Sequence, residues 1–305
     1  MLGSRFGRIG VLAGGPSNER EISLRSGRAV YSALAEDGLN AVFLDVRDDI
    51  HDIILKSKID VAFIALHGRF GEDGTVQKIL EDAGIPYTGS GVEASRLAMD
   101  KIESKKAFAK NDIPTARYII FEKGSSNLGE TDGLGLPLVV KPQSEGSSIG
   151  LSIVKERSML NGALEAAFEY GPKALIEEYI NGRELTVGVL EGQSLPVVEI
   201  VTCSKVYDYK AKYDDPSTRY LVPAPLRKKV YEMAQDLGRR SHRALGCESF
   251  SRVDMMADES GGLFVLEVNT IPGMTERSLF PKAARARGIT FNELCVKLID
   301  GALNR

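Results

Sequence analysis

Residues 8–27, RIGVLAGGPSNEREISLRSG, decide how the rest of the chain is read. An apolar run ending at Ala13 makes a short strand, and Gly14, Gly15 and Pro16 turn it. Ile22, Ser26, Val30, Ala33 and Leu34 then recur on one helical face. The alternation continues outward. Residues 41–44 form a second strand. Residues 61–66, nearly all apolar, suit a parallel strand covered on both faces. Residues 72–83 read as a helix with Val76, Ile79, Leu80 and Ala83 inward, and residues 85–87 as one more short strand. This predicts an open, mostly parallel sheet over residues 1–92. Such sheets bind ligands beyond the carboxyl ends of their strands, where GGPSNE and HGRFGEDG lie.

After TGSG at 88–91 the pattern changes to a small α+β unit over residues 93–180. Its expected elements are a helix over 93–111, strands at PLVVKP and LSIV around the loop EGSSIG, a helix over 157–170 and a strand at ALIEEYI. Residues 181–305 open with ELTVGVL and LPVVEIV around EGQS, a hairpin signal. Residues 204–221 are polar, aperiodic and carry four tyrosines, and a loop of that length is usually functional. A long amphipathic helix over 226–245, strands SRVDMMA and GLFVLEVN around a turn, and helices over 279–287 and 291–303 complete the chain. The expected class is α/β and α+β, in three domains.

Composition narrows the function. In 305 residues, 43% apolar, a sizeable core is affordable. Lys plus Arg is 39 against 42 Asp plus Glu, a net charge of −3 with no long basic tract, so nucleic acid is not an expected partner. No apolar run reaches the roughly 18 residues of a membrane span, and none is expected. Three cysteines, far apart and odd in number, argue against a disulfide framework and fit a reducing cytoplasm. The three histidines share no metal-ligand spacing, which disfavours zinc.

Two clusters carry chemistry on their own. In SRVDMM, Arg252 and Asp254 leave one face of a strand, and in LEVN so do Glu267 and Asn269. Paired across a hairpin, Asp254, Glu267 and Asn269 make an all-oxygen set of the kind Mg²⁺ takes, unless they are a solvated outer face. Lys141 precedes a Gly/Ser loop whose backbone N–H groups could cradle phosphates, although neither a P-loop nor a GxGxxG motif is present. The alternative is a surface strand end and a plain hairpin. Glu177, Glu178 and Glu184 could read an adenine and its ribose, or simply be solvated; Lys101 carries the same ambiguity. Glu19 could favour a helix N-terminus and no more. His67 could be a satisfied core-edge histidine, and Ser147 structural. Gly273 marks a tight turn whose N–H could stabilise an oxyanion.

The motifs GGPSNEREISLRSG, ALHGRFGEDG, YTGSGVEASRLAMDK, VVKPQSEGSSIG, YDYKAKY and SRVD…LEVNTIPGMTERSLFP, in this order over essentially the whole chain, resemble the bacterial D-alanine–D-alanine ligases of the ATP-grasp superfamily. The resemblance implies an ATP-grasp fold and ATP-driven joining of two D-alanine molecules through an acylphosphate, for cell-wall precursor synthesis. It implies ATP-phosphate lysines at Lys101 and Lys141, an adenine hinge at Glu177, Glu178 and Ile180, and a ribose ligand at Glu184. Asp254, Glu267 and Asn269 correspond to ligands of two Mg²⁺ (or Mn²⁺) ions. Glu19 and His67 correspond to groups at the first D-alanine, with Ser147 and Tyr213 linking to Glu19. Lys212 corresponds to a loop lysine near the transferred phosphate, Arg252 and the Gly273 amide to oxyanion stabilisers, and Ser278 and Leu279 to the site of the second carboxylate. A homodimer is implied in the same way. Glu178 departs from the family, standing where lysine is frequent.

Overall fold

The computed structural model describes residues 5–47, 50–125, 128–202 and 217–304. Three sheets organise them. The first holds strands β1 (Ile9–Gly14), β2 (Ala41–Val46) and β3 (Val61–Ile64), all parallel in the order β2-β1-β3. Helix α1 (Arg20–Glu36) follows β1, α2 (Ile50–Ser57) follows β2 and α3 (Thr75–Asp82) follows β3. This is the open parallel sheet expected at the N-terminus. The short strand expected at 85–87 reduces to a single parallel bridge between Ala62 and Tyr87. Pro86 removes one of the N–H groups a longer ladder would need.

The continuous helix expected over 93–111 is two helices, α4 (Val92–Met99) and α5 (Lys101–Lys110). Asp100 divides them. Its backbone is extended, and its side chain accepts from the N–H groups of Ile102 and Glu103, capping α5. Helical periodicity runs through such a junction unchanged, because a cap interrupts dihedrals and not polarity. Ala98 of α4 and Phe108 of α5 belong to the same buried cluster as Val187, Val253 and Val265 of the C-terminal sheet.

The second sheet is antiparallel, in the order β4 (Tyr118–Glu122), β7 (Lys173–Glu178), β5 (Leu138–Pro142), β6 (Ser152–Val154). Helix α6 (Leu160–Phe168) covers it, after a 3₁₀ turn at Arg157–Met159. The third sheet runs β11 (Arg219–Leu221), β10 (Val198–Val201), β8 (Gly182–Leu190), β12 (Phe250–Asp258), β13 (Leu263–Asn269), with β9 (Gln193–Ser194) also on β8. Helix α7 (Lys228–Ala244) packs on it. Part of the segment expected to be an aperiodic loop is therefore strand: Arg219, Tyr220 and Leu221 pair with β10 and close that edge. Three residues are too few to show alternation, so only the waiting edge reveals them. Residues 203–216, including Lys212 and Tyr213, lie outside the described residues.

The last helices, α8 (Leu279–Ala286) and α9 (Phe291–Leu303), complete the N-terminal core. Phe280, Leu294 and Leu298 bury with Val11 and Val30 in one cluster, which also takes in Leu190 and Val198 of the third sheet.

Candidate active site

Two cavities meet between the sheets. One, about 510 Å³, is walled by α1, the ends of β3 and β13, and the turn leading into α8. The other, about 170 Å³, lies between the second and third sheets. Lys101, Glu145 and Glu267 line both, so the chambers join at these three side chains.

In the larger chamber Glu19 stands at the N-cap of α1, where the helix's unpaired N–H groups favour a carboxylate. It is buried, and it accepts a hydrogen bond from Ser147 of the EGSS loop. Gly68 and Gly146 make this possible: a Cβ at either would come within 2.7 and 2.8 Å of Glu19 Oε2. His67, three residues beyond β3, is held at both nitrogens. Nδ1 is 3.3 Å from Glu72 Oε1 and Nε2 is 3.0 Å from Ser26 Oγ. Ser26 Oγ in turn accepts the Met274 N–H at 3.2 Å, fastening the IPGMT turn to α1. Burial pushes the Glu72 carboxyl up, with Glu19 adding to the rise and the His67 hydrogen bond opposing it. Glu145 is also raised, by burial and then by Glu19. A Cβ on Gly273 would lie 3.0 Å from Ser278 Oγ. That hydroxyl accepts from the Thr275 N–H at 3.1 Å, and Leu279 begins α8 beneath it.

The hairpin pairs Arg252 with Asn269 and Asp254 with Glu267. Arg252 clamps Asp254 through two bonds, Nε to Oδ1 at 2.9 Å and Nη2 to Oδ2 at 2.7 Å, and Thr186 Oγ1 donates to Oδ1 at 2.6 Å. Lys101 Nζ lies 3.3 Å from Glu267 Oε2 and donates to the Glu145 carbonyl at 2.6 Å. Asn269 Oδ1 accepts the Ile271 N–H at 2.9 Å. Asp254 lines the smaller chamber, Asn269 the larger and Glu267 both, so two carboxylates and an amide oxygen flank the junction. That donor set fits a hard divalent cation and not a thiophilic one.

In the smaller chamber Val139 and Ile153 of the second sheet face Met256 and Leu266 of the third. Such an apolar slot fits a flat aromatic base. Lys141 Nζ is 2.8 Å from Glu177 Oε1 at its wall, and Ile180 and Glu184 line the far end. The Glu177 carboxylate is buried, and its Oε1 forms ion pairs with both Lys141 and Lys105. Glu178 turns away to Arg117, whose Nε is 2.7 Å from Oε2 and whose backbone N–H donates to Oε1 at 2.9 Å. The residues named from the sequence therefore line these two chambers, with Lys212 and Tyr213 outside the described residues.

A family model described as the D-ala D-ala ligase C-terminus matches residues 107–300, and one described as the D-ala D-ala ligase N-terminus matches residues 47–90. The chain belongs to the D-alanine–D-alanine ligase family. A relative named D-alanine–D-alanine ligase, from Geotalea uraniireducens, is 48% identical over 97% of this chain and 95% of its own. Among solved structures, a D-alanine–D-alanine ligase from Bacillus anthracis complexed with ATP is 37% identical, with a TM-score of 0.86 over 97% of both chains. The VanG D-Ala:D-Ser ligase from Enterococcus faecalis is 30% identical, with a TM-score of 0.84 over 97% of this chain and 99% of that one. The architecture is that of the ATP-grasp ligases.

Ser26, Glu72 and Glu145, which line these chambers, were not singled out from the sequence. Glu72 sits five residues after His67 in HGRFGEDG, a spacing that signals nothing in a loop. Ser26 reads as helix core, and its role depends on a turn 248 residues away.

Proposed function

We propose that this chain joins two D-alanines into D-alanyl-D-alanine, releasing ADP and phosphate, and that the two linked chambers divide the work. The observation that carries the reading is their junction. Lys101 and Glu267 face both the slot fitted to a nucleotide and the chamber walled by Glu19 and Arg252. When bound, ATP with its divalent cations supplies the phosphoryl group that activates the first carboxylate toward the second amine.

The chain's own residues do the rest. Glu19 holds the ammonium of the first D-alanine, while Ser147 fixes the carboxylate's rotamer and His67 packs beside the substrate. Lys101 and Lys141 offset phosphate charge, Ile180 and the backbone at Glu177 and Glu178 hold the base, and Glu184 accepts from the ribose. Asp254, Glu267 and Asn269 would ligate two Mg²⁺ ions. Arg252 and the Gly273 N–H face the oxyanion that forms when the second amine attacks. Ser278 and Leu279 receive the second carboxylate. Lys212 and Tyr213 are proposed for the transferred phosphate and the link to Glu19 on the family resemblance alone. The reading includes a cytoplasmic homodimer and the division at 1–92, 93–180 and 181–305. Among the described residues no helix is long and apolar enough to cross a membrane.

The test is phosphate release from ATP and Mg²⁺ with D-alanine, L-alanine, D-serine and D-lactate, the product identified by mass. D-alanyl-D-alanine should dominate. Efficient ligation of another pair with no such dipeptide would defeat the proposal.

A further inference from the structure

Lys105 lies one helical turn beyond Lys101 on α5, so both ammonium groups leave the same face. Lys101 reaches the cavities, whereas Lys105 is only 1% exposed. Its Nζ is 3.2 Å from Glu177 Oε1, donates to Thr115 Oγ1 at 2.6 Å and to the Ala116 carbonyl at 3.2 Å, and stands 5.0 Å from the centre of the Tyr118 ring. Thr115 passes the contact on, donating to the Val265 carbonyl of β13 at 2.7 Å. Glu177 is itself 2% exposed and shares Oε1 between Lys105 and Lys141. Burial alone would raise the Glu177 carboxyl, but Lys141 and then Lys105 outweigh it and hold it below the usual range. Burial likewise pushes Lys105 down to about 8, despite the pull of Glu177.

The charge count of this cluster matters to a bound phosphate. Two lysines and one carboxylate leave one net positive charge; Lys141 and Glu177 line the cavity, and Lys105 stands behind them. Without Lys105, Glu177 would take Lys141 as its sole counter-ion, and the wall would present a neutral pair. Charges in a low-dielectric interior are poorly screened, so the difference is felt at the cavity. We infer that Lys105 is a positioning residue for the nucleotide: by sharing Glu177 it leaves Lys141 its positive charge for the phosphates. The inference rests on the ATP reading of the smaller chamber.

The experiment measures binding of ATP, ADP and adenosine by calorimetry with Mg²⁺, and thermal unfolding, for the full chain and its variants. In Lys105→Met, ATP and ADP should weaken by roughly tenfold or more, as for a truncated desolvated charge pair. Adenosine, which has no phosphate, should change by less than about twofold. Lys105→Arg should keep the ratio of ATP to adenosine affinity near wild type. So should Lys105→Met with Glu177→Gln, because removing both charges returns the wall to one net positive. The double variant removes the buried carboxylate along with its second counter-ion, so it keeps the test available if the single one fails to fold. A purely structural tie predicts otherwise: ATP and adenosine weakening in equal ratio, and no rescue by the second substitution. Either result would overturn the inference. A wild-type chain that binds none of the three nucleotides would instead remove the ATP reading and the inference with it.

Discussion

His242, on the buried face of α7, is 4% exposed, with Nδ1 2.8 Å from Ser251 Oγ. Burial, followed by the neighbouring Arg243, lowers its pKa from 6.5 to about 4. The unfolded chain therefore binds a proton between pH 6.5 and 4 that the folded chain refuses. By linkage, folding stability falls as pH drops through that window and the loss is complete below about 4. The loss is on the order of 3 kcal/mol for a shift of this size. His242→Asn, which keeps a polar group near Ser251 but does not titrate, should show a shallower decline. Urea unfolding at pH 7 and pH 4.5 measures it; equal declines in the two proteins would refute the assignment. Cys247 shows the same physics from the acidic side, since burial pushes its thiol up to about 12. It is inert packing and not a nucleophile.

At the scale of elements, α1 does more than cover the parallel sheet. Its N-cap is Glu19, and its second turn supplies Ser26, which holds both His67 and the Met274 N–H. Its distance from β1 is set at Gly27, where a Cβ would come within 2.4 Å of the Ala13 Cβ. Glycine is a poor helix former, by about 1 kcal/mol against alanine. Contact wins over propensity here, because two Cβ atoms at that distance cannot coexist. Gly27→Val should destabilise the protein by roughly 1–3 kcal/mol through overpacking. It should also lower ligation, since the same displacement moves Ser26 and Glu19. Denaturant unfolding alongside the dipeptide assay checks both, and wild-type stability with wild-type rate would show that α1 has slack at Gly27.

At the scale of the whole molecule, the smaller chamber, proposed above for the nucleotide, lies between two sheets with separate cores, tied together beside it by Lys101, Lys105 and Thr115. A ligand seated there touches both sides and binds only the folded form. A non-hydrolysable ATP analogue with Mg²⁺ at 100 times its Kd should stabilise by about 2.7 kcal/mol and raise Tm by a few degrees. Analogue without divalent cation at the same concentration should give a smaller rise, and Lys141→Met should lose most of it. An equal rise in Lys141→Met and wild type would take Lys141 off the phosphates.

The sequence determined a good deal alone. The period-2 and period-3.6 patterns are local, so the parallel N-terminal sheet and the paired strands carrying Arg252, Asp254, Glu267 and Asn269 were legible from residues a few positions apart. Short motifs in order sufficed for the family resemblance. What depends on encounters between distant segments was not legible. The break at Asp100 needed a cap, the strand at Arg219–Leu221 needed an open edge, and the face to which α4 and α5 attach needed a competing core. Lys105 is the sharpest instance. In KIESKKAF it is one of three lysines in six positions, and nothing local separates it from the exposed Lys106. Only the tertiary structure sets Glu177 against it, and a lysine leaves water only when a fixed carboxylate and hydrogen-bond acceptors replace its hydration.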